Sequence, residues 1–197
     1  MPALKRPCPA VVRFKAVLSP YDPAWASEFA ELQAVYVSAL SGLALRIEHV
    51  GSTAVPGLPA KPVLDIDIVI QSYSVFHEII NALELLGYQH CGDQGIPQRE
   101  VFKPKGVIAP FVASRTFMRH HLYVCPESSP ELRRHIRFRD MLRARPDLRR
   151  EYETIKLGIA HRAGGDRRRY AEIKEIECRE FVERVLGQAE QPHAKPQ

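Results

Sequence analysis

HVGSTAVPGLPAKPVLDIDIVI, residues 49–70, sets the architecture that we expect for this chain. The segment starts with a Gly-Ser turn and ends in an apolar strand that carries Asp65 and Asp67. Because strand side chains alternate between two faces, both aspartates point to the same face. Burial and like charge both disfavour the ionisation of two neighbouring carboxylates. The pattern therefore predicts a divalent cation at this face, and Mg²⁺ or Mn²⁺ would also bring substrate phosphates with it.

The turn before this strand has the composition of a phosphate-binding element. Gly51, Ser52 and Thr53 can offer backbone N–H groups and hydroxyls to a phosphate. The loop 53–62 contains three prolines and one glycine, so it should be rigid. Lys61 of that loop could contact a phosphate as well, or it could simply be an exposed loop lysine. A rigid loop beside two acids is suited to a site that must hold its geometry.

A family resemblance rests on this same segment. Gly51-Ser52, followed after twelve residues by Asp65-Ile66-Asp67-Ile68, resembles the signature of the DNA-polymerase-β-like nucleotidyltransferase superfamily. The wider sequence resembles the GrpB family of that superfamily, over roughly residues 17–186. The matching blocks are YDPAW (21–25), RIEHVGST (46–53), PGL (56–58), KP (61–62), GIP (95–97), HHLYV (120–124) and FRD (138–140).

The resemblance implies an α+β fold with a nucleotidyltransferase-like mixed β-sheet flanked by helices. The apolar periodicity agrees with it and predicts this α/β domain at residues 11–127, followed by C-terminal helices packed on it at 128–187. Residues 1–10 and the polar end at 188–197 are predicted to be disordered tails.

Capping residues predict where several helices begin. Asp22-Pro23 should open the first helix of the α/β domain. In the C-terminal segment, Pro130 and Pro146 should open the first two of three helices, and Gly164-Gly165 should separate the second helix from the third.

The resemblance also implies a reaction, the transfer of a nucleoside monophosphate from a nucleoside triphosphate. Two metal ions would orient the nucleophile and the leaving group, with Asp65 and Asp67 as catalytic metal ligands. Superfamily enzymes usually place a further acid on a later strand, but the corresponding strand here, at 119–125, contains none. Glu100 on the preceding strand is the alternative source of that acid. The acceptor stays open: a small molecule, a protein side chain or an RNA end.

Histidine and arginine side chains complete the predicted site. Alternation places His121 on the same strand face as Tyr123, so His121 is a candidate catalytic residue, as a ligand or as a base near neutral pH. Arg99 and Arg119 could neutralise phosphate oxygens, because a planar guanidinium can bind a phosphate through two N–H groups. Glu48 could belong to the site, or it could pair with an arginine inside the fold.

The net charge of +5 is unevenly distributed over the 197 residues. Residues 128–170 contain thirteen Lys and Arg against six Asp and Glu. Such a segment can attract nucleotides or nucleic acid, although arginine is also a good helix former and a solvated helix face explains most of these residues.

Two alternatives to the enzyme therefore stay open. One is a non-catalytic Mg–nucleotide-binding or regulatory module. The other is an RNA-binding protein that uses the basic helices, although the sequence has no RRM, KH or zinc-knuckle pattern.

Compartment and partners can be narrowed from composition. No apolar run reaches the roughly 20 residues needed to cross a bilayer, so no membrane partner is expected. The residues that follow Lys5 and Arg6 are not a long apolar run, which does not match a secretion signal. The four cysteines lie far apart and form no C-x-x-C pair. This spacing favours reduced thiols and a cytoplasmic location over disulfides or a zinc site.

Overall fold

The computed structural model describes residues 17–106, 109–112 and 115–188. Within these ranges the chain forms an α+β architecture with a sheet of five strands and with five α-helices. The strands are β1 (Ala44–Val50), β2 (Leu64–Ile70), β3 (Tyr88–His90), β4 (Glu100–Pro104) and β5 (His120–Pro126). The helices are α1 (Ala24–Leu40), α2 (Phe76–Leu85), α3 (Pro130–Ala144), α4 (Pro146–Ala163) and α5 (Arg167–Gln188).

The sheet is mixed, and its strand order is β1-β2-β5-β4-β3. The neighbours β2 and β5 run parallel, whereas the other described pairs are antiparallel. In β2 every residue except Asp65 is buried, as expected for a strand covered on both faces. The predicted mixed sheet flanked by helices is confirmed, and the acidic strand lies inside it rather than at an edge.

Helix capping follows the sequence closely. The backbone N–H of Ala24, the first residue of α1, donates to the Asp22 carboxylate at 2.9 Å. At α3, the Ser129 hydroxyl accepts a hydrogen bond from the Leu132 N–H at 3.2 Å. These bonds satisfy backbone donors that have no partner within the first turn of a helix. The prolines predicted to open α3 and α4 both stand at the first helical positions, so the predicted helix starts are confirmed.

The two faces of the sheet pack against different helices. One large apolar cluster joins one face to α1 and α2. A small cluster of Val69, Cys125 and Leu132 joins the other face to α3. Since Val69 is in step with the two aspartates along β2, α3 packs against the face that carries them.

The proline-rich loop lies between the sheet and the C-terminal helices. Val55 and Leu58 of this loop are fully buried, and they belong to an apolar cluster shared with α3, α4 and α5. The loop that follows the Gly-Ser turn is therefore fixed by the helices as well as by its own prolines.

The strand β5 ends at Pro126 and α3 begins at Pro130, and the predicted division of the chain into an α/β domain and C-terminal helices stays a prediction. The predicted tails at 1–10 and 188–197 lie outside the described residues, except that Gln188 is the last residue of α5. None of the described helices is long and apolar enough to cross a membrane.

Candidate functional site

A cleft of about 610 Å³ lies between the aspartate-bearing face of β2 and β5 and the helices α3–α5. Its size is in the usual range for small-ligand sites. Six of the predicted site residues line it, namely Gly51, Ser52, Thr53, Lys61, Asp65 and His121. The helices contribute Glu131, His135, Tyr152, Lys156, Tyr170 and Lys174 among others, none of which the sequence had singled out for the site.

Asp65 is half-buried on β2, opposite Val50 of β1 and His121 of β5. Its carboxylate lies against Gly51, and a Cβ at position 51 would collide with it. Gly51 also has a φ of 71°, a conformation that favours glycine. Burial raises the pKa of Asp65, while the nearby charges of His121 and Lys174 act to lower it. The glycine thus allows the turn to approach the acid closely.

Asp67 is fully buried and pairs with His135 of α3, whose Nδ1 lies 2.8 Å from Asp67 Oδ2. The other ring nitrogen of His135 lies 3.3 Å from Glu131 Oε1. Because both nitrogens face a carboxylate, both donate and the ring is an imidazolium. Burial acts to lower the pKa of His135, but hydrogen bonds to Asp67 and Glu131 outweigh it and raise this pKa to about 10. These three residues form an acid–histidine cluster that is charged at neutral pH.

The acid–histidine cluster changes the expectation that a divalent cation alone would stabilise the two neighbouring carboxylates. A divalent cation was expected to stabilise both acids, yet His135 already stabilises Asp67 through Oδ2. The second oxygen, Asp67 Oδ1, is buried and has no hydrogen-bond partner among the described residues. An unpaired buried carboxylate oxygen is costly, so this atom is the one position of the cluster where a bound cation would still be favourable.

The further acid that the family resemblance led us to expect on β5 is absent from that strand, but α3 places a carboxylate in the cleft. Glu131 lines the cleft beside His135. The strand candidate Glu100 does not share that face, because it is opposite Val124 and pairs with His90 Nε2 at 2.7 Å. The i,i+4 spacing of Glu131 and His135 indicates in sequence that they share a helix face, but it cannot indicate that this face meets β2.

The Gly-Ser turn is linked to both walls of the cleft. Burial raises the pKa of Tyr152 on α4, and hydrogen bonds to its hydroxyl from Ser52 and Lys174 act in the opposite direction. Thr53 is buried, and its hydroxyl oxygen lies 3.0 Å from His49 Nε2. Burial and nearby arginines lower the pKa of His49 to about 4, so the ring is neutral at physiological pH. Both turn hydroxyls therefore have protein partners that a ligand would have to replace.

The other predicted phosphate ligands are differently placed. Lys61 Nζ donates to the carbonyl oxygen of Arg167 at 3.1 Å and lies 4.7 Å from the centre of the Tyr170 ring. It therefore joins the proline-rich loop to the start of α5 at the edge of the cleft. Arg99 lies over an aromatic ring of β5, 4.8 Å from its centre, and Arg119 is exposed. Neither arginine is among the residues that line the cleft.

Glu48 pairs with an arginine inside the fold, the second of its two predicted roles. Its carboxylate lies 2.6 Å from Arg139 of α3. Another helical arginine, Arg134, pairs with Glu183 at 2.9 Å. Such pairs neutralise part of the basic charge of residues 128–170. They favour helix docking over nucleic-acid contact as the role of the arginines involved.

No group of three or more His, Cys, Asp or Glu side chains forms a ready metal site within the described residues. The fit of a divalent cation therefore depends on Asp65 and on the unpaired oxygen of Asp67. Two carboxylates are a typical protein share of a Mg²⁺ site in which phosphates and water supply the remaining ligands. The donor set fits a cation bound together with a phosphate better than a cation bound alone.

Comparison with known proteins gives one family. A family model described as GrpB protein matches residues 15–186. UPF0157 protein PA4798 of Pseudomonas aeruginosa is 41% identical over 170 residues, which are 86% of this chain and 66% of that protein. A dephospho-CoA kinase of Mycobacterium tuberculosis is 28% identical over 203 residues, covering 94% of this chain and 50% of that protein. The chain thus spans between half and two thirds of these curated relatives.

A solved structure shows the fold. The crystal structure of conserved protein GrpB from Enterococcus faecalis superposes with a TM-score of 0.71 at 24% identity. The match covers 89% of this chain and 100% of that one. The mixed sheet and the helices described above are therefore shared with a protein of the same family name.

Proposed function

The chain belongs to the GrpB family, and we propose that it is a metal-dependent nucleotidyltransferase. It would transfer a nucleoside monophosphate from a nucleoside triphosphate to a small molecule, a protein or an RNA. The observation that carries the proposal is the meeting of a Gly-Ser turn with two strand acids, one of which keeps an unpaired buried oxygen. That combination is suited to a phosphate and a cation bound side by side.

The cation, Mg²⁺ or Mn²⁺, would be held by Asp65 and by Asp67 Oδ1. When bound, it would supply electrostatic stabilisation of the phosphate oxygens and help to orient the reacting groups. His135 would keep the Asp67 carboxylate in a fixed position through Oδ2, in the way that outer hydrogen bonds orient metal ligands.

The turn and the cleft walls would bind the triphosphate. Backbone N–H groups of Gly51 to Thr53 would bind phosphate oxygens. When the triphosphate binds, the Ser52 hydroxyl would release Tyr152 and bond to a phosphate oxygen instead. Lys174, which also interacts with Tyr152, would offset the negative charge of the phosphate. This exchange would couple triphosphate binding to the position of α4.

Proton transfer would fall to His121. This residue is opposite Asp65 in the β2–β5 register and lines the cleft, so it can reach a nucleophile bound near the acids. His135 cannot serve as the base near neutral pH, because its interactions with Asp67 and Glu131 keep it protonated.

The acid–histidine cluster favours a second candidate function. His135 uses one oxygen of Asp67, and Glu131 faces the same histidine, so fewer carboxylate oxygens remain for two cations. A protein with this arrangement could bind a Mg–nucleotide and transfer nothing, as a regulatory module.

Product analysis separates the two functions. The protein is incubated with each α-labelled nucleoside triphosphate and Mg²⁺ or Mn²⁺, alone, with total RNA, and with a pool of small metabolites. The transferase is expected to release pyrophosphate and to attach label to one acceptor class. Asp65→Asn should abolish both signals, because it removes a proposed ligand while preserving side-chain shape.

Binding without pyrophosphate release in all three mixtures would contradict the transferase and support the regulatory module. Pyrophosphate release that persists in Asp65→Asn would mean that the chemistry occurs elsewhere in the protein.

A further inference from the structure

We propose that Lys156 and Lys174, the lysine pair, form a phosphate-binding subsite in the helical wall of the cleft. The subsite would take the terminal phosphates of a polyphosphate ligand. The inference deepens the proposed function, on which it rests only for the identity of the natural ligand.

Lys156 of α4 is 1% exposed, and its Nζ has no hydrogen-bond partner among the described residues. Its Nζ lies over the Tyr152 ring, 5.0 Å from the ring centre. A lysine ammonium carries three N–H donors and is costly to bury without acceptors. The side chain nevertheless lies at the wall of the cleft described above.

Lys174 of α5 lines the same cleft as Lys156. Burial and, to a smaller extent, the charge of Lys174 lower the pKa of Lys156. Lys174 also bonds to the hydroxyl of Tyr152, to which Ser52 bonds as well. The lysine pair, Tyr152 and Ser52 of the Gly-Ser turn therefore line one and the same cleft.

Among the described residues, no carboxylate forms an ion pair with Lys156. The groups that face it are Lys174 and Cys178 from α5, and Tyr152 and Glu153 from its own helix. Glu153 influences its charge at a distance but forms no recorded ion pair with it. Two amines without a bonded carboxylate at a cleft wall match a phosphate group, which offers several acceptor oxygens and negative charge.

Binding at this subsite should consume a proton. Burial and Lys174 lower the pKa of Lys156 from its ordinary value of 10.5 to about 7. In the empty protein slightly above neutral pH, much of this amine is therefore unprotonated. A bound phosphate stabilises the ammonium, so binding draws a proton from solution.

Calorimetry with inorganic tripolyphosphate and Mg²⁺ tests the subsite in the full chain. The parent is compared with Lys156→Met and with Lys105→Met, which removes an exposed lysine outside the cleft that pairs with Glu84. We expect Lys156→Met to weaken binding by about tenfold or more, the size of one lost charged contact. Lys105→Met should bind within about twofold of the parent.

The same titration in two buffers of different ionisation enthalpy measures proton uptake. Slightly above neutral pH, the parent should take up more protons per tripolyphosphate than Lys156→Met does. Protonation of the ligand itself is common to both proteins and cancels in the difference.

Competition with ATP identifies the source of the phosphates. If ATP displaces tripolyphosphate, the subsite holds the triphosphate tail, and if both bind together, it holds a phosphate of the acceptor.

Equal affinity and equal proton uptake for parent and Lys156→Met would overturn the proposal and leave Lys156 as a buried residue of the helix core. Melting temperatures without ligand show whether Lys156→Met is folded, and we expect it to be as stable as the parent because an unpaired amine is removed. A subsite that depends on Lys156 in a protein that never releases pyrophosphate would refute the transferase and not the subsite. If the protein transfers the label and Lys156→Met binds tripolyphosphate as the parent does, the subsite is refuted and the transferase is not.

Discussion

The acid–histidine cluster and the lysine pair are two ways to bury charge in one cleft. In the cluster, the His135 imidazolium lies between the carboxylates of Asp67 and Glu131, and among the described residues Asp67 Oδ1 is left without a hydrogen-bond partner. In the lysine pair, the buried Nζ of Lys156 has no hydrogen-bond partner within the part of the chain that the structure describes. The comparison teaches that Asp67 already has a cationic partner in His135, whereas Lys156 has no bonded anion among the described residues. We therefore expect the Asp67–His135 pair to contribute most to stability, although Oδ1 stays available to a cation, and Lys156 to contribute mainly to binding.

Asp67→Asn should have the largest effect on stability. It leaves His135 with Glu131 alone, and breaking a buried pair on one side costs about 3 kcal/mol. Asp65→Asn, measured in parallel, has no recorded ion pair to lose and should change the free energy of unfolding by less than about 1 kcal/mol. Urea unfolding in the presence of a chelator measures both. Equal losses for the two variants would show that the cluster does not hold the sheet to α3 as described.

Gly51→Ala should have the next largest effect. The new Cβ meets the Asp65 carboxylate at a positive φ, and we expect a loss of about 2 kcal/mol. Gly57→Ala is a matched control, since Gly57 has a φ of 79° but open space around its Cβ position. The difference between the variants isolates the collision from the backbone strain. If Gly57→Ala costs as much as Gly51→Ala, the close approach of turn and acid is not what requires glycine.

The pH dependence of stability should distinguish the two buried charges. The unfolded chain holds a proton on Lys156 up to its ordinary pKa of 10.5, whereas the folded chain releases it near pH 7. The unfolded state thus binds more protons between these values, and this residue makes the free energy of unfolding rise with pH, by at most about 1.4 kcal/mol per pH unit. His135 acts oppositely, because its folded pKa is raised to about 10, so its contribution falls as pH rises from 6.5 towards 10.

Lys156→Met removes the contribution of Lys156 to the pH dependence of stability and leaves that of His135. Its free energy of unfolding should therefore rise less with pH than that of the parent, or fall, between about pH 7 and about pH 8.5. Denaturant titrations at several pH values measure the two slopes. Parallel curves would mean that Lys156 keeps its ordinary pKa in the folded chain.

The smallest effect is expected outside the cleft. Arg149 and Arg150 lie on α4 and are not among the residues that line it. Reversing both charges should change nucleotide affinity by less than about threefold, since charges outside the cleft are distant from the ligand and screened by salt. A loss of about tenfold or more, or 1.4 kcal/mol, would show that this part of the helical half closes over the ligand.

Local signals predicted the fold well because each acts over a few residues. The cap at Asp22, the cap at Ser129 and the alternation in β2 are all readable from neighbours in the chain. The pairing of Asp67 with His135 joins positions 68 residues apart, and no local pattern shows which helix face meets which strand. The sequence therefore predicted the two acids of the candidate site but neither the histidine partner of Asp67 nor the lysine pair, which depend on how the helices dock.

The central claim is that Asp65 and Asp67 bind a divalent cation together with a triphosphate. Melting temperatures of the parent and Asp65→Asn, in chelator and with Mg²⁺ plus a nucleoside triphosphate, test it most directly. The parent should gain about 5–10 °C with both ligands at about a hundred times the dissociation constant, and clearly less with either alone. In chelator, Asp65→Asn should melt at the same temperature as the parent. With Mg²⁺ and the triphosphate, it should not show the parent's gain in melting temperature. A full gain from metal-free triphosphate, or a clear drop of Asp65→Asn in chelator, would contradict the claim and make Asp65 a structural residue.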